Sequence, residues 1–386
     1  MSKIDEVITR RVTNIIPDNV KLSKLLNSGK KLNVYLGIDP TATRIHIGHA
    51  VALRKLQEFV ELGHNVTFLI GDFTALIGDT SDKDKERPVL TYQEIRQNLK
   101  TYKKQASKIL DFSKVKVKFN STWLSKLKFA DIVRLAQEFS FGEFAGRELI
   151  KKRLSDKKKV GLHEALYPVM QGYDSYIMDT DIQIGGADQT FNMQAGRSLQ
   201  SSLRNKESFI LVTGYLTGTD GRKMSKSWGN AIWMTDSAEE IYGKTMSLPD
   251  NLIPEYLENA TDLESTKIND FKKALKSGVN PIQIKKELAL IIATQLTNKR
   301  QAIKAKNNFE KSFAKHDPEY KLKIKKLKSL AETIAPFTNL KSASDAKRLI
   351  QQGGLTINGD VVSDVNYKLK KGDKIKIGKK IFGTLV

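Results

Sequence analysis

Two histidines, His46-Ile-Gly-His49, share a short polar turn with Asp39 and Thr41, and a later loop carries Lys223-Met-Ser-Lys-Ser227. These residue types do not make a nucleophilic triad. They supply hydrogen-bond donors and positive charge, which is the chemistry of holding phosphate. Two lysines at i, i+3 in a mobile loop can close on a triphosphate and neutralise charge as pyrophosphate leaves. A His-x-x-His pair is also half of a zinc site. The chain has no cysteine and only His64, His163 and His316 besides, so no metal site is expected. A third set is Tyr167, Gln171 and Asp174, which fall on one helix face at i, i+4 and i+7. Three hydrogen-bonding groups on that spacing imply a polar cleft rather than a core, although a buried polar network would use the same spacing. Farther on, Gly185-Gly186-Ala-Asp188-Gln189 opens a strand into a glycine turn, where backbone can approach a ligand closely.

The elements that position these groups follow from periodicity. Leu32, Val34, Leu36 and Ile38 alternate as a strand. Asp39-Pro40 ends it, because proline lacks an N–H and moves its predecessor out of the helical region. Ile47, Val51, Leu53, Leu56, Phe59 and Val60 then give one apolar helix face. Val66-Thr-Phe-Leu-Ile-Gly-Asp72 reads as a buried strand, so the opening is a β-α-β unit of a parallel sheet, which binds ligands at its carboxyl ends. Residues 1–31 read as a helical lead-in from Ile4, Val7, Ile8, Val12 and Ile15-Ile16. A mainly helical insertion spans about 90–165, broken by the strand-like Val115–Phe119. The stretch from Asp179 through Ile182 to Gln189 reads as a short strand opening into the glycine turn, and Ser208–Leu216 as another buried strand. Residues 237–330 read as helical, with Tyr320–Lys328 a linker or connecting helix. From about 333 a small unit follows: a capped helix start at Ser342–Asp345, a Gly353-Gly354 stop, and a hairpin turning at Asn358-Gly359. Lys347 and Arg348 on its helix, and the lysine-rich tail after it, suit a phosphate backbone.

Composition sets the class. The 386 residues are 40% hydrophobic and 28% charged, a globular protein of two or three domains. No apolar run approaches the roughly 18 residues of a membrane span, and the start lacks the pattern of a signal peptide. Without cysteines nothing argues for secretion, and a cytoplasmic location is expected. The net charge of +22 points to a polyanionic partner, with lysine-rich solubility as the alternative source.

His46-Ile-Gly-His49 followed by Lys223-Met-Ser-Lys-Ser227, each after a strand, resembles the paired signatures of class I aminoacyl-tRNA synthetases. Tyr35-Leu-Gly-Ile-Asp-Pro-Thr, Tyr167-x-x-x-Gln171-x-x-Asp174 and Gly185-Gly-Ala-Asp188-Gln189 narrow the resemblance to the tyrosyl-tRNA synthetases of bacterial type, over essentially the whole chain. Leu36 stands where that family often has cysteine, and Thr80-Ser-Asp82 where many members have Pro-Ser-Gly.

The resemblance implies an α/β fold: a doubly wound parallel, Rossmann-like catalytic sheet, a helical domain, and a small α+β RNA-binding domain. Their implied spans are 1–235, 236–330 and 331–386. It implies that Tyr35 and Asp174 bond the substrate phenol, that Asp79, Tyr167 and Gln171 hold its ammonium, and that Gln189 holds its carboxylate. Asp39, Gly48, His49, Gly186, Asp188 and Lys226 would bind ATP. Thr41, His46, His49, Lys223 and Lys226 would be catalytic on the pyrophosphate side, with Lys83 and Arg87 as supplementary phosphate contacts. Lys347 and Arg348 would contact RNA. The implied activity is two-step tyrosylation of tRNA(Tyr) using ATP with Mg2+, without a tightly bound cofactor, by a homodimer. Tryptophan activation, nucleotidylyl transfer and an inactive RNA-binding relative are the alternatives.

Overall fold

A computed structural model describes residues 2–79, 90–314, 322–325, 327–338, 342–378 and 381–386. The chain forms two compact units, Met1–Lys306 and Asn307–Val386. No helix among the described residues is long and apolar enough to cross a membrane.

The first unit is built on six strands: β1 (Val12–Ile16), β2 (Asn33–Ile38), β3 (Asn65–Ile70), β4 (Val115–Phe119), β5 (Ile182–Gly186) and β6 (Phe209–Thr213). Their order in the sheet is β1-β6-β5-β2-β3-β4. β2 to β6 run parallel, and β1 closes one edge antiparallel to β6. The inner strands are buried on both faces, as a sheet covered by helices on both sides requires: every residue of β6 is buried, as are Val34, Tyr35 and Leu36 of β2. From β2 the chain winds outward through β3 to β4, then returns to β5 on the other side of β2. The winding direction therefore reverses between β2 and β5. The crevice outside their carboxyl ends is where open parallel sheets take ligands.

The expected helical lead-in over residues 1–31 is corrected by the structure. Helix Lys3–Thr9 ends before Arg11, whose φ is +61°, and Val12–Ile16 pairs with β6 as a strand. Val12, Thr13, Ile15 and Ile16 are β-branched and favour a pleated surface, and so short an apolar run fits either period. The strand-like Val115–Phe119 is the opposite edge of the same sheet, next to β3.

Three helices carry most of the burden of positioning. Ile47–Glu61 buries Ile47, Val51, Leu53, Leu56, Phe59 and Val60, the face read from the sequence. Leu162–Ile177 and Thr190–Arg204 pack so closely that a methyl group on Gly172 would lie 3.1 Å from the backbone of Ala195. The start of Leu162–Ile177 is anchored by a buried ion pair. Arg153 donates to both oxygens of Glu164 at 2.6 and 3.0 Å, and Glu164 also accepts from the N–H of Gly161 at 2.7 Å.

The second unit holds a five-stranded sheet in the order β7-β11-β10-β8-β9. These strands are β7 (Leu322–Ile324), β8 (Leu355–Ile357), β9 (Asp360–Val361), β10 (Lys374–Ile377) and β11 (Ile381–Leu385). Helices Leu330–Ile334 and Ala343–Gln351 cover it through Leu330, Ile334, Ala346 and Ile350. The turn at Asn358-Gly359 has positive φ at both residues, +52° and +100°, as a two-residue hairpin demands. Leu322–Ile324, expected within a linker or connecting helix, is instead a strand parallel to β11. Lys-Leu-Lys-Ile-Lys alternates at period two, and Ile324 fills the core.

In the first unit, Gly196 of helix Thr190–Arg204 packs against β5 and helix Leu162–Ile177. A methyl group there would lie 2.6 Å from Gln183 Oε1 and 2.8 Å from Ser175 Cβ, both in buried residues. Gly196→Ala should destabilise the first unit by about 1–3 kcal/mol through overpacking, read from the urea midpoint. An unchanged midpoint would mean that Gln183 and Ser175 yield.

Candidate active site

A cavity of about 810 Å3 opens at the carboxyl ends of β2 and β5. It is lined by every residue that the sequence assigns to tyrosine, ATP or catalysis within the described part of the chain: Tyr35, Asp39, Thr41, His46, Gly48, His49, Asp79, Tyr167, Gln171, Asp174, Gly186, Asp188, Gln189, Lys223 and Lys226. Lys83 and Arg87 lie outside the described residues. Lys347 and Arg348 are exposed on helix Ala343–Gln351 of the second unit.

One end of the cavity is a buried polar floor. Asp174 accepts from Trp123 Nε1 at 2.7 Å and Asn120 Nδ2 at 3.1 Å. Burial pushes its carboxyl up to about 8, with the charges of Asp39 and Asp72 adding to the rise and the two hydrogen bonds opposing it. The Tyr35 phenol donates to Gln183 Oε1 at 3.0 Å, and burial followed by the charge of Asp174 holds it well above the usual tyrosine range.

The middle is a run of acceptors on fixed donors. Asp39 accepts from Thr74 Oγ1 at 2.7 Å and the Tyr167 hydroxyl at 2.8 Å. Asp79 accepts from Gln189 Nε2 at 2.6 Å, and the same amide donates to Asp188 at 3.1 Å. The turn after β2 is gripped from the side by helix Tyr92–Ala106: Asn98 donates to the carbonyl of Pro40, and Gln105 donates to Thr43 and accepts from the N–H of Ile45.

The mouth carries the two motifs. His46 is the N-cap residue of Ile47–Glu61, and its ring stacks on His49 with centroids 3.8 Å apart. Gly48 makes room for this, since a methyl group there would lie 2.9 Å from His46 Nδ1. Burial first, then the charges of Lys226 and Lys223, lowers His46 to about 3. Burial, His46 and the same lysines push His49 well below its ordinary value. Both imidazoles are therefore neutral at pH 7, and the Nδ1 atoms have no hydrogen-bond partner among the described residues. The segment after the lysine loop pairs with the histidine turn, Ile47 N–H to Ile232 and Met234 N–H to Ile45, so the two motifs are fastened together. Lys223 Nζ sits 3.9 Å from Asp188 Oδ1 and 3.8 Å above the ring of Tyr215.

One reading is refined. Gly185 and Gly186, expected to admit a ligand to the backbone, also accommodate protein side chains: methyl groups there would meet Met193 Sδ at 2.9 Å and Asp188 Oδ1 at 2.8 Å. Sequence reasoning missed Thr74, Asn98, Gln105, Asn120, Trp123, Gln183 and Tyr215. Asn120 alone had a signal, since it directly follows β4 at its carboxyl end.

His46 makes a pH prediction. Its folded form stays neutral down to about pH 3, whereas the unfolded imidazole takes a proton below pH 6.5. Stability present above pH 6.5 is therefore lost as pH falls through that window. His46→Gln should flatten this acid limb by at most about 1.4 kcal/mol at pH 5.5 in urea titrations. Parallel limbs for both proteins would contradict a neutral His46.

Known families and proteins match most of the chain. The model of tRNA synthetases class I (W and Y) matches residues 27–314, and the S4 domain matches residues 339–375. A tyrosine--tRNA ligase of Carboxydothermus hydrogenoformans is 42% identical, over 99% of this chain and 97% of that protein. One of Thermotoga maritima is 37% identical, over 98% and 96%. Among solved structures, the tyrosyl-tRNA synthetase of Archaeoglobus fulgidus complexed with L-tyrosine aligns with a TM-score of 0.64 at 22% identity, over 78% of this chain and 100% of that one. That likeness bears on the fold. On sequence and domain content, the chain belongs to the tyrosine--tRNA ligase family of class I tRNA synthetases.

Proposed function

We propose that this cleft activates L-tyrosine with ATP and passes it to the 3′ end of tRNA(Tyr). The observation that carries the reading is the sorting of groups along one cavity: a buried phenol and carboxyl floor, acceptors in the middle, and neutral imidazoles with lysines at the mouth. A phenol bonds at Tyr35 and Asp174. The substrate ammonium meets Asp79, Tyr167 and Gln171, and its carboxylate meets Gln189. Adenosine is held by Asp39, Gly48, His49, Gly186 and Asp188.

The tyrosine carboxylate attacks the α-phosphorus in line. A Pα–O bond forms, the bond to the β-phosphate oxygen breaks, and pyrophosphate leaves with that electron pair. The nucleophile is already an anion, so no protein base is required, and catalysis is positioning plus charge stabilisation. Thr41 and His46 donate hydrogen bonds to the phosphates, while Lys223 and Lys226 offset the charge on the leaving group. Neutral imidazoles serve here because a third and fourth cation beside the two lysines would repel them. The 3′ hydroxyl of tRNA then attacks the tyrosyl carbonyl and AMP departs. Mg2+ enters with ATP: the phosphate side of the cavity offers lysines, imidazoles and a hydroxyl, which contact phosphate oxygens directly. Lys83 and Arg87 are proposed as supplementary phosphate contacts.

Residues 236–330 are proposed as a tRNA-binding helical domain and basic linker, and 331–386 as an RNA-binding domain using Lys347 and Arg348. A homodimer is proposed from the exposed apolar side chains at the starts of helices Phe129–Ala136, Phe141–Ala145 and Leu162–Ile177: Phe129, Phe141 and Leu162 are 81%, 65% and 76% exposed. The location proposed is the cytoplasm.

ATP–pyrophosphate exchange tests the activity. It should depend on tyrosine, with no exchange from tryptophan or without amino acid. Thr41→Ala or His46→Asn should slow activation on the order of 10²-fold while leaving tyrosine affinity unchanged. Lost affinity with a surviving rate would refute these roles. Asp174→Ala should reduce the preference for tyrosine over phenylalanine by roughly 10- to 100-fold, the cost of leaving a buried hydroxyl unpaired. Undiminished preference would remove Asp174 from the phenol site.

A further inference from the structure

The lysine loop is folded around a side chain that none of the motifs contains. Asn230 is 2% exposed and lies three residues beyond Ser227. Its Nδ2 donates to Asp220 Oδ1 at 2.7 Å and to the carbonyl of Lys223 at 3.1 Å, and its Oδ1 accepts from the N–H of Ser225 at 2.9 Å. Its own carbonyl accepts from the N–H of Thr219 at 3.1 Å. One amide therefore ties the start of the loop, the backbone of the first lysine and the residue before the second. Asp220 is the loop's acidic end. The hydrogen bond from Asn230, then those from Arg222, lower its carboxyl to about 2, so it accepts as a full carboxylate at neutral pH. Asn230 fits its socket tightly: a methyl group on Gly218 would lie 2.3 Å from its Nδ2.

We infer that Asn230 is a positioning residue that sets the backbone from which Lys223 and Lys226 reach the triphosphate. It touches no substrate group in the proposed pose and acts through the two lysines. A glutamine would be one methylene too long for the socket. An alanine would leave the Ser225 N–H, the Lys223 carbonyl and the Asp220 carboxylate each short of a partner. A loop with those bonds gone samples more backbone angles, and the lysine ammonium groups spend less time at the leaving phosphates. The cost falls on the step in which negative charge builds up on pyrophosphate, and tyrosine binding, made at the far end of the cavity, is spared.

This inference rests on the proposed function. Its test is single-turnover tyrosyl-adenylate formation at saturating tyrosine and ATP, with tyrosine Kd measured alongside. Asn230→Ala should slow adenylate formation roughly 10- to 100-fold and leave tyrosine Kd unchanged. Asn230→Asp, which keeps the acceptor for Ser225 but loses both donors and faces Asp220 with a second carboxylate, should be at least as slow. In a Lys223→Ala, Lys226→Ala background, Asn230→Ala should add no further loss, because its effect passes through those side chains. A full additional loss in that background, a parallel weakening of tyrosine binding, or parental rates in both Asn230 variants would overturn the inference. So would failure of both variants to fold, which would make Asn230 a structural residue. Should the lysine variant itself be as fast as the parent, the lysine roles proposed above fail and this inference with them. A slow lysine variant beside a fast Asn230→Ala overturns this inference alone.

Discussion

Parallel strands leave their carboxyl ends open only where the chain reverses its winding, and in this protein that happens between β2 and β5. Everything at the site is measured from those two strands. Tyr35 comes from within β2, Asp39 and the histidine turn follow its end, Gly186 is the last residue of β5, and Asp188 follows it. Groups more than a hundred residues apart in sequence converge because two neighbouring strands stop together. The helices Ile47–Glu61 and Leu162–Ile177 then fix the angle at which the side chains enter.

The cavity sorts charge by environment. At the floor, burial favours a protonated Asp174, while Asn120 and Trp123 hold it in place. At the mouth, burial and two lysines keep the imidazoles neutral, so positive charge resides on the flexible lysines and the rigid helix end presents dipoles. A neutral cradle beside long lysine side chains suits a reaction whose charge shifts from one phosphate to the next. Fixed cations would hold the triphosphate and the departing pyrophosphate with the same strength, which adds affinity without adding rate.

The sequence carried the polar face of Leu162–Ile177, both motif loops and the Asn358-Gly359 hairpin, because each has a local signature in spacing or turn chemistry. It did not carry the partners that hold these groups. Gln183 sits in an apolar strand and Trp123 in a four-residue helix, and neither has a periodicity that marks it as polar support. Asn230 follows a motif without belonging to it. The misread segments, Val12–Ile16 and Leu322–Ile324, are short apolar runs in which helix and strand periods cannot be told apart until a neighbouring strand accepts them. Local pattern places the reactive groups, and long-range pairing supplies their supports.

A crystal structure of the protein with L-tyrosine bound tests the central claim most directly. The account predicts the phenol hydroxyl within hydrogen-bonding distance of Tyr35 and Asp174, with the substrate carboxylate directed toward the stacked imidazoles and the lysine loop. A ring bound elsewhere in the cavity, or reversed so that its ammonium meets Asp174, would contradict it.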